Sequence, residues 1–340
     1  MKNIFKDKTI LVTGGCGSIG SEIVRQLLKF NPKVIRIFDH DEAGHFRLNQ
    51  SLKVDDPEKT RNLIGDITDR DRVFRAMEDV DIVFHAAALK HVPFCEYNPF
   101  EAVKTNVIGT QNLVDAAIKE NVDIFVGIST DKAVNPINTM GATKLLAEKI
   151  ITNAPIGKSL VKFCCVRFGN VLNSSGSVIP IFLKEIEEGY SISITSEKMT
   201  RFFMSLHDSV SLVIKAAELT EMGEVFILKM NAINIKDLAE VLVEELAPRF
   251  KKNPKDYIYN TIGVRPGEKM HESLMVDEEV RYMTEKEDMF ILRNSLLAHY
   301  SSKNGRVAAK WEEGQEYNSE NAPLLNKEQI RKTLKEDGII

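Results

Sequence analysis

The 340-residue chain holds only four cysteines, Cys16, Cys95, Cys164 and Cys165. None forms a C-x-x-C pair or joins a histidine cluster at zinc spacing, so neither a disulfide framework nor a metal site is expected. Adjacent Cys164 and Cys165 fall in an apolar run and read as small core residues, a usage that suits a reducing cytosol. Basic charge is not in excess either. Lys and Arg number 45 against 49 Asp and Glu, a net charge of −4, so no general field exists to hold nucleic acid. A local basic pocket for a phosphorylated small molecule remains compatible with that balance. No apolar run approaches the roughly 20 residues of a membrane span. The opening MKNIFKDKTILVTGG runs straight into a strand pattern without a signal-peptide core. The expectation is a cytoplasmic protein with no membrane segment. No short-period repeat or low-complexity linker is present. What remains is 43% apolar and 28% charged, an ordinary globular composition long enough for two domains, or for one large domain with an appendage.

The first half alternates β-branched runs with amphipathic stretches. Thr9–Thr13, Val34–Asp39, Ile82–His85 and Ile124–Ile128 read as strands. Ser21–Phe30, Val107–Asn121 and Met140–Ile151 read as helices. Such alternation implies right-handed β-α-β units, a Rossmann-type doubly wound parallel sheet in the α/β class. Leu160–Val166 is read as its last strand. Helices near His207–Leu219 and Ile235–Leu246 and a short strand near Val225–Leu228 follow, and the tail from Ser301 ends in a short helix. This predicts a dinucleotide-binding domain over 1–168 and a smaller substrate-binding lobe over 169–340, with crossovers between them.

Gly14-Gly15-Cys16-Gly17-Ser18-Ile19-Gly20 lies between the first strand and the first helix. Glycine is needed there for a tight turn, for close backbone approach to a pyrophosphate, and for helix–strand packing, while the helix N-terminus offers unpaired N–H groups. A glycine pattern alone also marks bland turns; the strand-before, helix-after context makes it a dinucleotide loop. Asp39 ends the second strand, 19 residues after Gly20, where an acid binds ribose hydroxyls and repels a 2′-phosphate. That favours NAD, although His40 and Arg47 leave room for NADP. Asp66 and Ile67, after the third strand, are placed at the adenine edge.

Five stretches carry a family resemblance: TGGCGSIGSEIVRQLL, HAAALKHVPFCEYNPFEAVKTNVIGT, STDKAVNPINTMGATK, RFGNVLNSSGSVIP, and MTRFFMS with RPGEKMHESL. Together they resemble extended short-chain dehydrogenases acting on nucleotide sugars, and most closely the UDP-N-acetylglucosamine 4,6-dehydratases of the configuration-retaining type. One departure stands out. Tyr-x-x-x-Lys is the usual redox pair, but this chain reads Met140-Gly141-Ala142-Thr143-Lys144, and a thioether can neither take nor give a proton. Retaining dehydratases resemble this chain in carrying methionine there.

The resemblance implies a redox-neutral reaction on a nucleotide sugar. Hydride leaves carbon 4 for NAD, water is eliminated across carbons 5 and 6, and hydride returns to carbon 6. By resemblance, Thr130 relays the proton at carbon 4, Asp131 is the acid at carbon 6, and Lys132 is the base at carbon 5. A lysine base requires a lowered pKa, which Lys144 and the cofactor ring would favour. Lys144 also holds the nicotinamide ribose. The bland reading of Asp131-Lys132 is an exposed charged loop pair, which would prevail without the flanking motifs. Ala86, Ala87 and Lys90 are assigned to the cofactor wall, with Lys90 and Met140 also facing the sugar. Asn170, Ser174 and Ser177 offer donors to phosphate oxygens, and Arg201 and Arg265 planar forks to the diphosphate. Glu268 and Glu272 fit ribose hydroxyls or ion pairs. Asn106 is expected to pin the active-site strand, and His85, His91 and His271 are read as structural. Relatives assemble as dimers or hexamers, and Tyr317-Asn318-Ser319 resembles a segment that latches a neighbour. Rival readings are a 4-epimerase, which would want the missing tyrosine, a 5-inverting dehydratase, a GDP-sugar dehydratase, and a catalytically silent NAD-binding regulator.

Overall fold

The computed structural model describes residues 3–52, 57–157, 159–172, 177–189, 191–294, 296 and 316–340. Six strands open the chain: β1 (Thr9–Thr13), β2 (Val34–Asp39), β3 (Thr60–Ile64), β4 (Ile82–His85), β5 (Ile124–Thr130) and β6 (Lys162–Phe168). They pair in parallel in the order β3-β2-β1-β4-β5-β6. The run TILVT is buried at every position, as a strand covered on both faces requires. Helices α1 (Ser18–Leu28), α2 (Glu42–Ser51), α3 (Arg70–Met77), α4 (Val92–Tyr97), α5 (Pro99–Val103), α6 (Thr110–Lys119) and α7 (Thr139–Asn153) make the crossovers. The strand order reverses between β1 and β4, the switch point outside which ligands sit in such sheets. The first helix begins at Ser18, three residues before the sequence pattern suggested, because Gly17 already serves as its N-cap.

β6 is not the end of the sheet, contrary to the sequence expectation. The chain leaves through β7 (Asn170–Val171), α8 (Val178–Glu188), β8 (Ser191–Ile194), β9 (Thr200–Met204) and α9 (Leu206–Leu219). It then returns as β10 (Glu224–Leu228), parallel to β6. β11 (Asn231–Asn234), α10 (Ile235–Leu246), β12 (Ile258–Thr261), β13 (Ser273–Met275) and α11 (Asp277–Val280) follow. Then β14 (Met283–Glu285) and β15 (Met289–Leu292) add antiparallel edges. Among the described residues the sheet therefore has nine strands. A shared apolar core runs from Phe5 to Ala322, and a second one lies under α8 and α10. The chain after β6 is thus built of excursions from and returns to one sheet, which a strand pattern as short as EVFIL could not announce.

The tail closes on its own chain. β16 (Tyr317–Asn318) pairs with β13, and the Tyr317 hydroxyl donates to the Met230 carbonyl at 2.8 Å. The Tyr317–Ser319 segment, which the sequence suggested could latch a neighbour, makes these contacts within its own chain. A final helix, α12 (Lys327–Glu336), opens with a capping box on Asn326. Among the described residues, no helix is long and apolar enough to cross a membrane.

Candidate active site

The glycine loop is shaped as a dinucleotide requires. Gly14 has φ +65°, and a Cβ there would lie 2.6 Å from the Ala87 nitrogen. A Cβ on Gly20 would lie 2.1 Å from the Gly14 carbonyl oxygen. Gly17 caps α1 with no side-chain hydrogen bond, so the positive end of that helix faces the cleft. Asp39 accepts from the backbone N–H of Cys16 and of Asp41 at 3.0 and 3.1 Å, which fixes its carboxylate beside the loop. Arg47 is tied to Asp41 at 2.8 Å, so the cation that left room for a 2′-phosphate is already engaged.

The cleft at the carboxyl ends of the strands has a volume of about 900 Å³. Its walls bring together most of the residues singled out from the sequence. Gly14, Gly17, Ser18, Ile19, Gly20, Asp39, Asp66, Ile67, Ala86, Ala87 and Lys90 line the cofactor side. Thr130, Lys132, Met140, Lys144, Asn170 and Ser177 line the other. Asn170 Oδ1 and Ser177 Oγ are buried there without a hydrogen-bond partner among the described residues. These are polar atoms a ligand would be expected to satisfy. Ser174 lies outside the described residues.

Asp131 does not line the cleft. It is fully buried behind Thr130, where its Oδ1 accepts from Thr130 Oγ1 at 2.8 Å and from Lys132 Nζ at 3.0 Å. Strand β5 ends at Thr130, and the single 3-10 turn Asp131–Ala133 turns one side chain inward and the next outward. Lys132 Nζ also stands 3.6 Å from Glu272 Oε1. Burial alone would lower the Lys132 pKa, but Asp131 and Glu272 outweigh it and raise it. The lowered pKa expected of Lys132 is therefore not found. It is Lys144 whose pKa burial lowers, with its Nζ donating to the Ile128 carbonyl at 2.6 Å.

Arg201 departs from its expected role. It is 5% exposed, and its guanidinium donates to the carbonyls of Thr200, Lys269 and Met270 and to Glu268. With so many donors spent, it pins the segment carrying Glu272 and offers no fork to the cleft. Glu268 pairs with Arg201 and accepts from the Arg265 backbone, and Arg265 is exposed. Neither is among the cleft-lining residues. The same segment is tied to the chain around the Asp131–Ala133 turn, as Asn138 donates to the Gly267 carbonyl and Lys269 to the Val134 carbonyl, both at 2.7 Å. Asn106 bonds the Leu89 backbone and Thr143, so it pins the chain after β4 to α7 and not to β5. His85 is buried between Thr13 and Thr110 at 2.8 and 3.0 Å. Glu272 is the residue sequence reasoning undervalued: only tertiary packing brings it to Lys132 across 140 positions of chain.

A family model described as polysaccharide biosynthesis protein matches residues 10–294. The chain belongs to that family. It is 54% identical to an uncharacterized membrane protein of Methanocaldococcus jannaschii, over 99% of this chain and 98% of that one. It is 38% identical to a UDP-N-acetylglucosamine 4,6-dehydratase (inverting) of Campylobacter jejuni, over 94% and 95%. It is 40% identical to a UDP-glucose 4-epimerase of Rickettsia rickettsii, over 97% and 96%. Among solved structures, Pen from Bacillus thuringiensis superposes with a TM-score of 0.91 at 43% identity, over 99% of both chains. The dTDP-glucose 4,6-dehydratase DesIV from Streptomyces venezuelae, solved with NAD, shares the fold with a TM-score of 0.68 at 22% identity, over 77% of this chain and 86% of that one. This polysaccharide biosynthesis family member thus sits in the superfamily of nucleotide-sugar dehydratases and epimerases, on the short-chain dehydrogenase fold.

Proposed function

We propose that this protein is an NAD-dependent UDP-N-acetylglucosamine 4,6-dehydratase. The observation that carries the reading is the linked Thr130–Asp131–Lys132 turn on the cleft, with Met140 where a tyrosine base would stand. The glycine cradle and the backbone-held Asp39 fit NAD, which when bound supplies the hydride acceptor and donor. Lys144, beside the end of β5, would hold its nicotinamide ribose. The similarity to a named 4,6-dehydratase supports the substrate class.

The proton bookkeeping follows from the geometry. Thr130 lines the cleft and its Oγ1 donates to Asp131 Oδ1, a path by which the carbon-4 hydroxyl proton would pass through Thr130 to Asp131. Asp131, now protonated, returns it by the same route to the hydroxyl leaving carbon 6. Lys132 removes the carbon-5 proton and later restores it. No proton is gained or lost overall beyond the water released. Met140 cannot perform the tyrosine's acid–base part in a 4-epimerase, and this sets the dehydratase above that reading despite the named epimerase relative. The motif resemblance supports retention at carbon 5.

Incubation with UDP- and GDP-N-acetylglucosamine, followed by NMR of the product, tests all of this. A UDP-linked 4-keto-6-deoxy sugar with unchanged configuration at carbon 5 is expected. An inverted carbon 5 would move the protein to the other branch, and a 4-epimer would refute the dehydratase reading.

A further inference from the structure

The Lys132 found between two carboxylates is charged, yet the chemistry proposed above needs its free amine. Asp131 and Glu272 are the acids that face it, and they differ. Asp131 is committed to Thr130 and to Lys132 itself. Glu272 is 2% exposed, its Oε1 stands 3.6 Å from Lys132 Nζ, and its Oε2 has no hydrogen-bond partner among the described residues. Its backbone is locked on both sides, with its N–H donating to Ser319 Oγ at 3.0 Å and its carbonyl accepting from Ser319 N–H at 2.8 Å. Arg201 Nε lies 4.0 Å from Oε1 and Lys269 is close by. The charged groups facing Glu272 are therefore Lys132, Asp131, Arg201 and Lys269.

We propose that Glu272 is a positioning residue for Lys132, taking up the proton that this lysine must release before it can act at carbon 5. The step balances without an oxidant or reductant: ammonium and carboxylate become amine and carboxylic acid. The amine lone pair then takes the carbon-5 proton, and once that proton has been returned Glu272 gives its own back to Lys132. Burial is the largest influence on the Glu272 carboxyl and pushes it up while Lys132 opposes it, so burial is what brings a proton on Glu272 within reach once the Asp131 charge is neutralised. The order of steps follows as well. Asp131 is the nearer charge holding the lysine proton, and it is neutralised when it receives the carbon-4 proton. Lys132 is then released to Glu272 only after oxidation has occurred. This inference rests on the dehydratase reading.

Glu272→Gln keeps the shape and cannot accept a proton. Its turnover number at neutral pH should fall about 10²-fold or more, the usual worth of a general base, with little change in KM. The loss should shrink as pH rises, because hydroxide can then remove a lysine proton that the missing Glu272 charge no longer helps to hold, giving an alkaline limb that the wild type lacks. Glu272→Asp should recover part of the neutral rate. A uniform loss at every pH, or a loss carried in KM, would overturn the proposal and leave the dehydratase reading intact. A second measurement needs no turnover. The carboxyl ¹³C signal of Glu272 in the purified protein, assigned by its absence in the Gln variant, should titrate above the ordinary glutamate value of about 4.3. Lys132→Met should move it higher still. An ordinary titration indifferent to that substitution sinks the idea, whether or not any nucleotide sugar is converted.

Discussion

Lys132 and Asp131 sit one residue apart and face different surroundings, one on the cleft and one with no exposure. Their variants should fail differently. Lys132→Met removes the proposed carbon-5 base and should cut dehydration about 10²–10⁴-fold. Hydride transfer from carbon 4 should survive, so NADH absorbance should rise on substrate addition and persist. Solvent deuterium should no longer enter carbon 5. Asp131→Asn keeps the Oδ1 contacts roughly in place but leaves Thr130 with nowhere to send its proton. Loss of the first hydride transfer is therefore expected there, with no NADH transient. Near-normal turnover in both variants would show that the chemistry lies on other residues.

At the scale of elements, the β1–loop–α1 unit is the most constrained. The Gly14 backbone is left-handed and lies against Ala86 and Ala87. Gly14→Ala should cost about 1–3 kcal/mol of stability through strain at that position. It should also displace the wall of the cofactor cradle. The check is paired: the shift in urea midpoint, and the amount of nucleotide retained through purification. Full retention of NAD would mean that this loop does not hold the pyrophosphate. The same logic explains the clamp of Asn138 and Lys269 over the Asp131–Ala133 turn. A 3-10 turn of three residues cannot hold Lys132 between two carboxylates on its own, so a second segment braces it.

For the whole molecule, acid sensitivity should come early, with one buried histidine as its main source. Burial, with a smaller contribution from Lys144, pushes the His85 pKa down to about 3. In unfolded chain a histidine titrates near 6.5, so between the two values the unfolded state binds the extra proton and stability rises with pH. Acidification from pH 7 to 5 should therefore remove about 2 kcal/mol, measured as unfolding free energy in urea. Glu148 and Asp41 have lowered pKa values, so their contributions are lost as pH falls through the ordinary carboxylate range toward their folded values, mostly below this window; the raised Glu272 carboxyl acts in the opposite sense and the lowered His91 pKa in the same sense as His85. His85→Asn should flatten the dependence between pH 7 and 5; an unchanged slope would place the acid response elsewhere.

Several features of this protein are local, and those were readable from the chain alone. TILVT followed by Gly14–Gly20 and an amphipathic run specifies strand, cradle and helix because glycine sterics and side-chain periodicity act over a few residues. Asp39 at the end of β2 and the Thr130–Lys132 turn at the end of β5 followed from strand order in the same way. Long-range pairing was not readable. EVFIL joined the main sheet as β10 because β6 offered a free parallel edge, a contact that no window of sequence contains. Arg201 looked like a diphosphate fork and became a buried pin, since packing set its donors against three carbonyls. The tail strand Tyr317–Asn318 likewise found an intrachain pairing with β13. The charge on Lys132 belongs to this second kind. The family resemblance named it a base, but the turn that sets Asp131 against it and the arrival of Glu272 from the far side of the fold, in a buried place where water screens little, together favour its charged form.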